Sequence, residues 1–114
     1  MGQSQQRKGR EAELELCRVL NDYGIPAAPG DALNYGSQPD IVGVDGVHVE
    51  VKRHERLEIC PWVAQAERDA ERFGGWPCVF YRRSREPWRV VMPLKAWILF
   101  YKSWIKEVDK NEGQ

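Results

Sequence analysis

Asp40, Glu50 and Lys52 are the residues of this chain whose types and spacing best suit a reaction. Pro39-Asp40 opens a short apolar run, and Glu50-Val51-Lys52 closes the next one. Two carboxylates offer oxygen ligands to a hard divalent cation such as Mg²⁺, and the Val51 carbonyl could add a third oxygen. Such a cation polarises a phosphodiester and lowers the pKa of a bound water. Lys52 lies two residues from Glu50, on the same face of an extended strand. There it can position the attacking water or neutralise charge developing on the phosphate. Acid-x-lysine triplets also occur on solvated strands, so the triplet alone is weakly specific. The upstream Pro39-Asp40 raises its value.

The elements around these residues must bring Asp40 to Glu50. Asp40–Val44 and Val47–Lys52 read as two strands around Asp45-Gly46. Val47, Val49 and Val51 alternate with His48, Glu50 and Lys52, so the valines are expected to face the core. A two-residue turn at Asp45-Gly46 would put Asp40 opposite Val51. A three-residue loop, Val44-Asp45-Gly46, with Gly46 in the left-handed region, puts Asp40 opposite Glu50. The chemistry requires the second register.

Upstream, residues 1–6 read as a flexible arm and 7–23 as a helix with Ala12, Leu16, Val19, Leu20 and Tyr23 on one stripe. Ile25–Ala28 reads as an edge strand, because Pro26 cannot donate to a ladder. Pro29–Gln38 is rich in turn residues and reads as a loop. Downstream, Pro61–Phe73 reads as a helix with Ala66, Ala70 and Phe73 inward, stopped by Gly74-Gly75. Trp76–Tyr81 and Trp88–Met92 read as strands. From Pro93 to about Val108 runs a third helix whose stripe includes Leu94, Trp97, Ile98, Tyr101, Trp104, Ile105 and Val108. Leu99 and Phe100 fall outside that stripe, which suggests burial against a partner subunit as well as the core. Residues 110–114 read as a polar tail. The whole predicts one α/β domain over 1–114, with a central mixed sheet of about five strands flanked by helices, in the order α-β-β-β-α-β-β-α.

The 114 residues are 42% hydrophobic and 30% charged, as in a globular domain. No apolar stretch has membrane-span length and no signal peptide is apparent, so a cytoplasmic location is expected. The three cysteines, Cys17, Cys60 and Cys78, form no CxxC pair and suggest neither zinc nor a disulfide framework. Net charge is zero, unusual for a nucleic-acid binder. The basic residues are clustered, however, at Arg7, Lys8 and Arg10, at Lys52–Arg56, and at Arg82–Arg89, and local charge sets the field that a phosphate meets.

Pro39-Asp40…Glu50-Val51-Lys52 resembles the PD…(D/E)xK motif of restriction-endonuclease-like nucleases. Arg7-Lys8-Gly9-Arg10-Glu11-Ala12-Glu13 resembles the opening helix of archaeal-type Holliday-junction resolvases within that superfamily. Arg72-Phe73-Gly74-Gly75-Trp76-Pro77 and Trp88-Arg89-Val90-Val91 resemble later segments of the same family, so the similarity spans roughly residues 7–98. The resemblance implies a restriction-endonuclease-like fold and Mg²⁺-dependent endonuclease activity, with Mn²⁺ able to substitute. The implied substrate is branched DNA, above all the four-way junction. Flaps, nicks or duplex DNA are the alternative substrates, and a non-catalytic nucleic-acid-binding module is the alternative class. The resemblance further implies that Glu13 joins Asp40, Glu50 and Val51 at the metal, with Lys52 catalytic. Arg7, Lys8, Arg10, Arg53 and Ser37 are then the expected DNA contacts, and the expected assembly is a homodimer through the C-terminal apolar helix. The Pro29–Gln38 loop departs from a DNA-gripping loop in having no Lys or Arg and containing Asp31. Gln65 is a further candidate to face the site. His48 shares the Glu50 face, where it could support the site, but is expected to be a surface residue; His54 is expected to be a surface residue or phosphate contact.

Overall fold

The computed structural model describes residues 2–30 and 39–112, with side chains for 8–30 and 39–111. The chain runs α1 (Gly2–Asp22), β1 (Ala28–Pro29), β2 (Ile41–Val42), β3 (Val47–Arg53), α2 (Ile59–Phe73), β4 (Trp76–Arg82), β5 (Arg89–Val91) and α3 (Leu94–Glu112). Five strands form one sheet in the order β1-β2-β3-β4-β5. Strands β3 and β4 are parallel, and every other neighbouring pair is antiparallel. The element order and mixed sheet are those the sequence predicts. A parallel pair needs a long crossover, and α2 supplies it.

Strand β3 lies at the centre of the sheet, and both of its faces are covered. On one face Val49 packs with Ile41 and with Leu16 and Cys17 of α1, and Val47, Val51 and Phe80 border the cluster. On the other, Trp62 and Ala66 of α2 pack on Val79, bordered by Tyr81. Glu50 pairs with Val79, and Lys52 with Tyr81, across the parallel ladder. The polar residues of β3 therefore lie beneath α2. The valines face a core as predicted, but His48 and Glu50 are buried too, at 1% and 4% exposure. His48 is not the surface residue expected from its strand position. A central strand in a sheet with helices on both faces has no solvent face.

Two glycines permit the close geometry around β3. Gly46 has φ +80° and closes the Val44-Asp45-Gly46 loop, where the Val47 N–H donates to the Val44 carbonyl at 3.1 Å. Gly75 has φ +89°, and a Cβ there would stand 2.9 Å from the His48 backbone nitrogen. No residue with a side chain could bring β4 so close to the start of β3.

Several boundaries differ from the sequence reading. Helix α1 starts at Gly2, so residues 2–6 are helical rather than a loose arm; the run holds three glutamines and no proline to interrupt it. Tyr23 lies beyond the end of α1 and is 82% exposed, off the inner stripe. The edge strand is Ala28–Pro29 rather than Ile25–Ala28. Helix α2 starts at Ile59, two residues before Pro61. A proline in the first turn is tolerated there, since first-turn N–H groups have no helical acceptor. Helix α3 continues to Glu112, so Lys110–Glu112 are not tail.

Helix α3 also departs in its packing. Its start is anchored by the buried Ala96, but Leu94, Trp97, Ile98, Tyr101 and Trp104 are exposed. The stripe expected to pack partly on the core leaves most of its surface uncovered within the chain. The radius of gyration, 15.1 Å, exceeds the roughly 13 Å of a compact domain this size. No helix among the described residues is long and apolar enough to cross a membrane.

Candidate active site

The hairpin register is the one the chemistry requires. Ile41 pairs with Val49, and one step further along the antiparallel ladder Asp40 stands against Glu50. Backbone bonds fix the approach. The Asp40 N–H donates to the Val49 carbonyl at 2.9 Å, and the Val51 N–H donates to Asp40 Oδ2 at 2.8 Å. Val51 thus holds the Asp40 carboxylate through its amide.

Burial dominates the electrostatics. It pushes the Glu50 carboxyl up to about 8, with the charge of Asp40 and a shared proton between the two carboxyls adding to the effect. Burial likewise raises Glu13 to about 7, with Asp40 second and Arg10 opposing. Helix α1 therefore delivers Glu13, of its three central glutamates, to the vicinity of Asp40. Glu15 is held elsewhere, accepting from Arg82 Nε at 2.7 Å and from Trp88 Nε1 at 2.8 Å. Those bonds lower its pKa, Arg82 first. Glu11 is exposed. Glu13, Asp40 and Glu50 approach without closing into a single ligand shell: the donor cluster among the described residues is His48, Glu50 and Asp69.

The residues present fit a divalent cation. Crowded, half-buried to buried carboxyls are the chemistry a cation relieves, and oxygen donors suit Mg²⁺.

Lys52 Nζ donates to Gln65 Oε1 at 2.9 Å, which places Gln65 of α2 at the site. Lys52 also lines a cleft of about 220 Å³ with Lys8, Val51, Arg53 and His54. Arg10 is exposed nearby on α1. Arg53 is less free than its position suggests, because Nη1 donates to Glu55 Oε1 at 2.8 Å and Nη2 to Ser84 Oγ at 2.7 Å. His54 lies against Trp62, with ring centroids 5.5 Å apart, and burial followed by Lys52 lowers its pKa. The Arg7 side chain and all of Ser37 lie outside the described residues.

Two further residues lie at the centre of the site: His48, expected from the sequence to be at the surface, and Asp69, which carries little signal in the sequence. His48 Nε2 lies 3.0 Å from Glu50 Oε1, with both groups buried, while its Nδ1 is buried without a hydrogen-bond partner. Burial lowers the His48 pKa, so the ring is neutral. Asp69 of α2 is the third member of that cluster. Its one signal in the sequence is its four-residue step from Gln65 on the same helical face.

Residues 4–110 match the model of a family described as "Phage putative PDDEXK endonuclease". Among solved structures, the fold is similar to Hjc, a Holliday junction resolvase from the archaeal hyperthermophile Archaeoglobus fulgidus, known at 1.6 Å resolution. The two share 27% identity at a TM-score of 0.58, over 75% of this chain and 72% of that one. No curated protein matches the chain.

Proposed function

The chain belongs to the phage PDDEXK endonuclease family, and on that premise we propose that it is a divalent-metal-dependent DNA endonuclease selective for branched DNA, four-way junctions above all. The observation that carries the reading is the hairpin register, which sets Asp40 against Glu50 with Lys52 on the same strand face. Similarity to a Holliday junction resolvase over three quarters of the chain supports the choice of substrate.

Asp40 and Glu50 are the groups to hold Mg²⁺ or Mn²⁺, with Glu13 and the Val51 carbonyl completing the set. When bound, the cation supplies polarisation of the scissile phosphate and an acidified water. The remaining work falls to the chain. The Val51 amide fixes the Asp40 carboxylate, and His48 fixes Glu50 from below. Gln65 holds the Lys52 ammonium beside the carboxylates, where it neutralises charge as the phosphate becomes more anionic. Lys8 and Arg10 bind flanking phosphates, Arg7 and Ser37 extend that contact, and Arg53 shapes the cleft wall. Affinity should therefore fall steeply with salt. The enzyme acts as a homodimer, and the uncovered Leu94, Trp97, Ile98, Tyr101 and Trp104 face of α3 favours that helix as the contact.

Zero net charge and the engagement of Arg53, Arg82 and Arg83 by Glu55, Glu15 and Glu86 favour a second reading. It keeps the same chemistry but acts on flaps, nicks or plain duplex, which need a smaller basic footprint. Cleavage of a labelled four-way junction in Mg²⁺, beside matched flap and duplex, decides between the two. Preferential junction cutting is expected, and equal rates would sink junction selectivity. Sedimentation at micromolar concentration tests the dimer; a clean monomer would remove it.

A further inference from the structure

We propose that His48, Glu50 and Asp69 form a second cation site, of transition-metal type, on the α2 face of β3. It goes beyond the nuclease reading, in which His48 only positions Glu50 and Asp69 has no part, and it adjoins the hairpin pair through Glu50.

Three observations carry the proposal. One donor atom from each of the three residues lies within 4.8 Å of the other two. Three atoms bound about 2.0–2.2 Å from a common ion stand roughly 3–4 Å from one another. Side-chain adjustments of up to about 1 Å would therefore close the shell. His48 and Glu50 are almost wholly buried, unlike the exposed acidic clusters that solvent alone accounts for. Finally, the imidazole faces the cluster through Nε2, 3.0 Å from Glu50 Oε1, while Nδ1 is buried without a partner. With the ring hydrogen on Nδ1, the Nε2 lone pair points at Glu50, where a cation can replace the proton between them.

The donor types set the class of ion. One imidazole nitrogen with two carboxylates favours Mn²⁺, Fe²⁺ or Zn²⁺ over Mg²⁺, whereas the all-oxygen Asp40–Glu50 pair suits Mg²⁺. The two sites would thus differ in selectivity while sharing one carboxylate. Occupancy of the His48 site would constrain how Glu50 presents itself to the hairpin site, making the enzyme responsive to transition metal.

Pulsed EPR of Mn²⁺ bound to the untagged full chain tests this, because imidazole ligation imprints nitrogen modulation on the Mn²⁺ echo and an all-oxygen site does not. Nitrogen modulation is expected in the wild type and in Asp40→Asn. It should disappear in His48→Gln and in Asp69→Asn, with nitrogen-coordinated Mn²⁺ binding weakened by at least about tenfold. Asp69 is only half-buried, so its near-isosteric variant keeps the test decisive if His48→Gln fails to fold. Absence of modulation in the wild type, or modulation unchanged by Asp69→Asn, would overturn the site. Junction cleavage in Mg²⁺ is scored separately. Cutting without nitrogen-bound Mn²⁺ sinks this site and spares the nuclease; nitrogen-bound Mn²⁺ without cutting does the reverse.

Discussion

Strand β3 has two faces of opposite character, and a helix covers each. Toward α1 it presents Val47, Val49 and Val51, whose burial alone stabilises the fold. Toward α2 it presents His48, Glu50 and Lys52, and there burial acts against the groups present. A fully buried valine contributes roughly 1.5–3 kcal/mol. A buried carboxyl instead stays protonated or seeks a partner. One strand thus does two jobs by alternating side chains: the apolar face fixes the position of the polar one. The difference implies that the faces are separable by mutation, with stability lost from one and cleavage lost from the other.

The largest separation is expected at the carboxylates. Asp40→Asn or Glu50→Gln should lower junction cleavage by about 10³-fold or more, the several kcal/mol of transition-state stabilisation a polarising cation supplies. Junction affinity in a gel-shift assay, and the unfolding midpoint at about pH 5 where Glu50 keeps its proton, should stay near wild type, because neither variant empties volume from the core. Retained cutting by both variants would refute the hairpin site. On the other face, Val49→Ala should cost about 2 kcal/mol of stability by leaving a small cavity. Its cleavage rate well below the new midpoint should remain within a few-fold of wild type. A Val49→Ala enzyme that is stable but inactive would contradict the division of labour.

How far these two faces were legible in the sequence differs for the same reason. The apolar face follows from the Val47, Val49, Val51 alternation, and the hairpin register follows from Gly46 and the requirement that Asp40 meet Glu50. Both depend on neighbours within a dozen residues. The α2 face depends on contacts between β3 and a helix beginning at Ile59, and spacing carries little of that information. His48 therefore read as exposed, since alternation with valines implies a solvated side only when the sheet has one. Gln65 stands out only by resemblance to nucleases that place a polar residue on this helix, and Asp69, four residues on, carries no such signal. Glu13 stood out only by resemblance, for Glu11, Glu13 and Glu15 are equivalent in spacing; the fold separates them by sending Glu15 to Arg82 and Trp88. The face of α3 was legible as apolar, but not that the chain itself would leave it uncovered.

The polar face should also make stability respond to pH in a way the apolar face cannot. Glu50 holds its proton up to about 8 in the folded chain against an ordinary 4.5, and Glu13 up to about 7. Between those limits the native state binds more protons than the unfolded state. The metal-free protein is therefore favoured at the low end of the window and loses stability as pH rises through about 4.5 to 8. Thermal unfolding in EDTA should show a midpoint falling over that range. Mg²⁺ should flatten or reverse the slope, since it binds the deprotonated pair. Glu50→Gln should remove most of the slope, and Val49→Ala should leave it unchanged while lowering the whole curve. A flat profile for the metal-free wild type would mean that the carboxyls are better solvated than their burial implies.

The smallest effect is the most discriminating about the α2 face. Gln65→Ala removes the acceptor that holds Lys52 Nζ at 2.9 Å without touching any carboxylate. A hydrogen bond to a charged group contributes about 1.5–3 kcal/mol when fully formed and buried, and Lys52 and Gln65 are only half-buried. The expected fall in single-turnover cleavage is about tenfold, roughly 1.4 kcal/mol. Lys52→Met should cost more, about 10²-fold, because it removes the charge rather than its tether. The double variant should then resemble Lys52→Met alone, since a tether has nothing to act on once the ammonium is gone. If the two losses instead add fully, Gln65 acts on the DNA or the water directly and α2 contributes to the reaction in its own right.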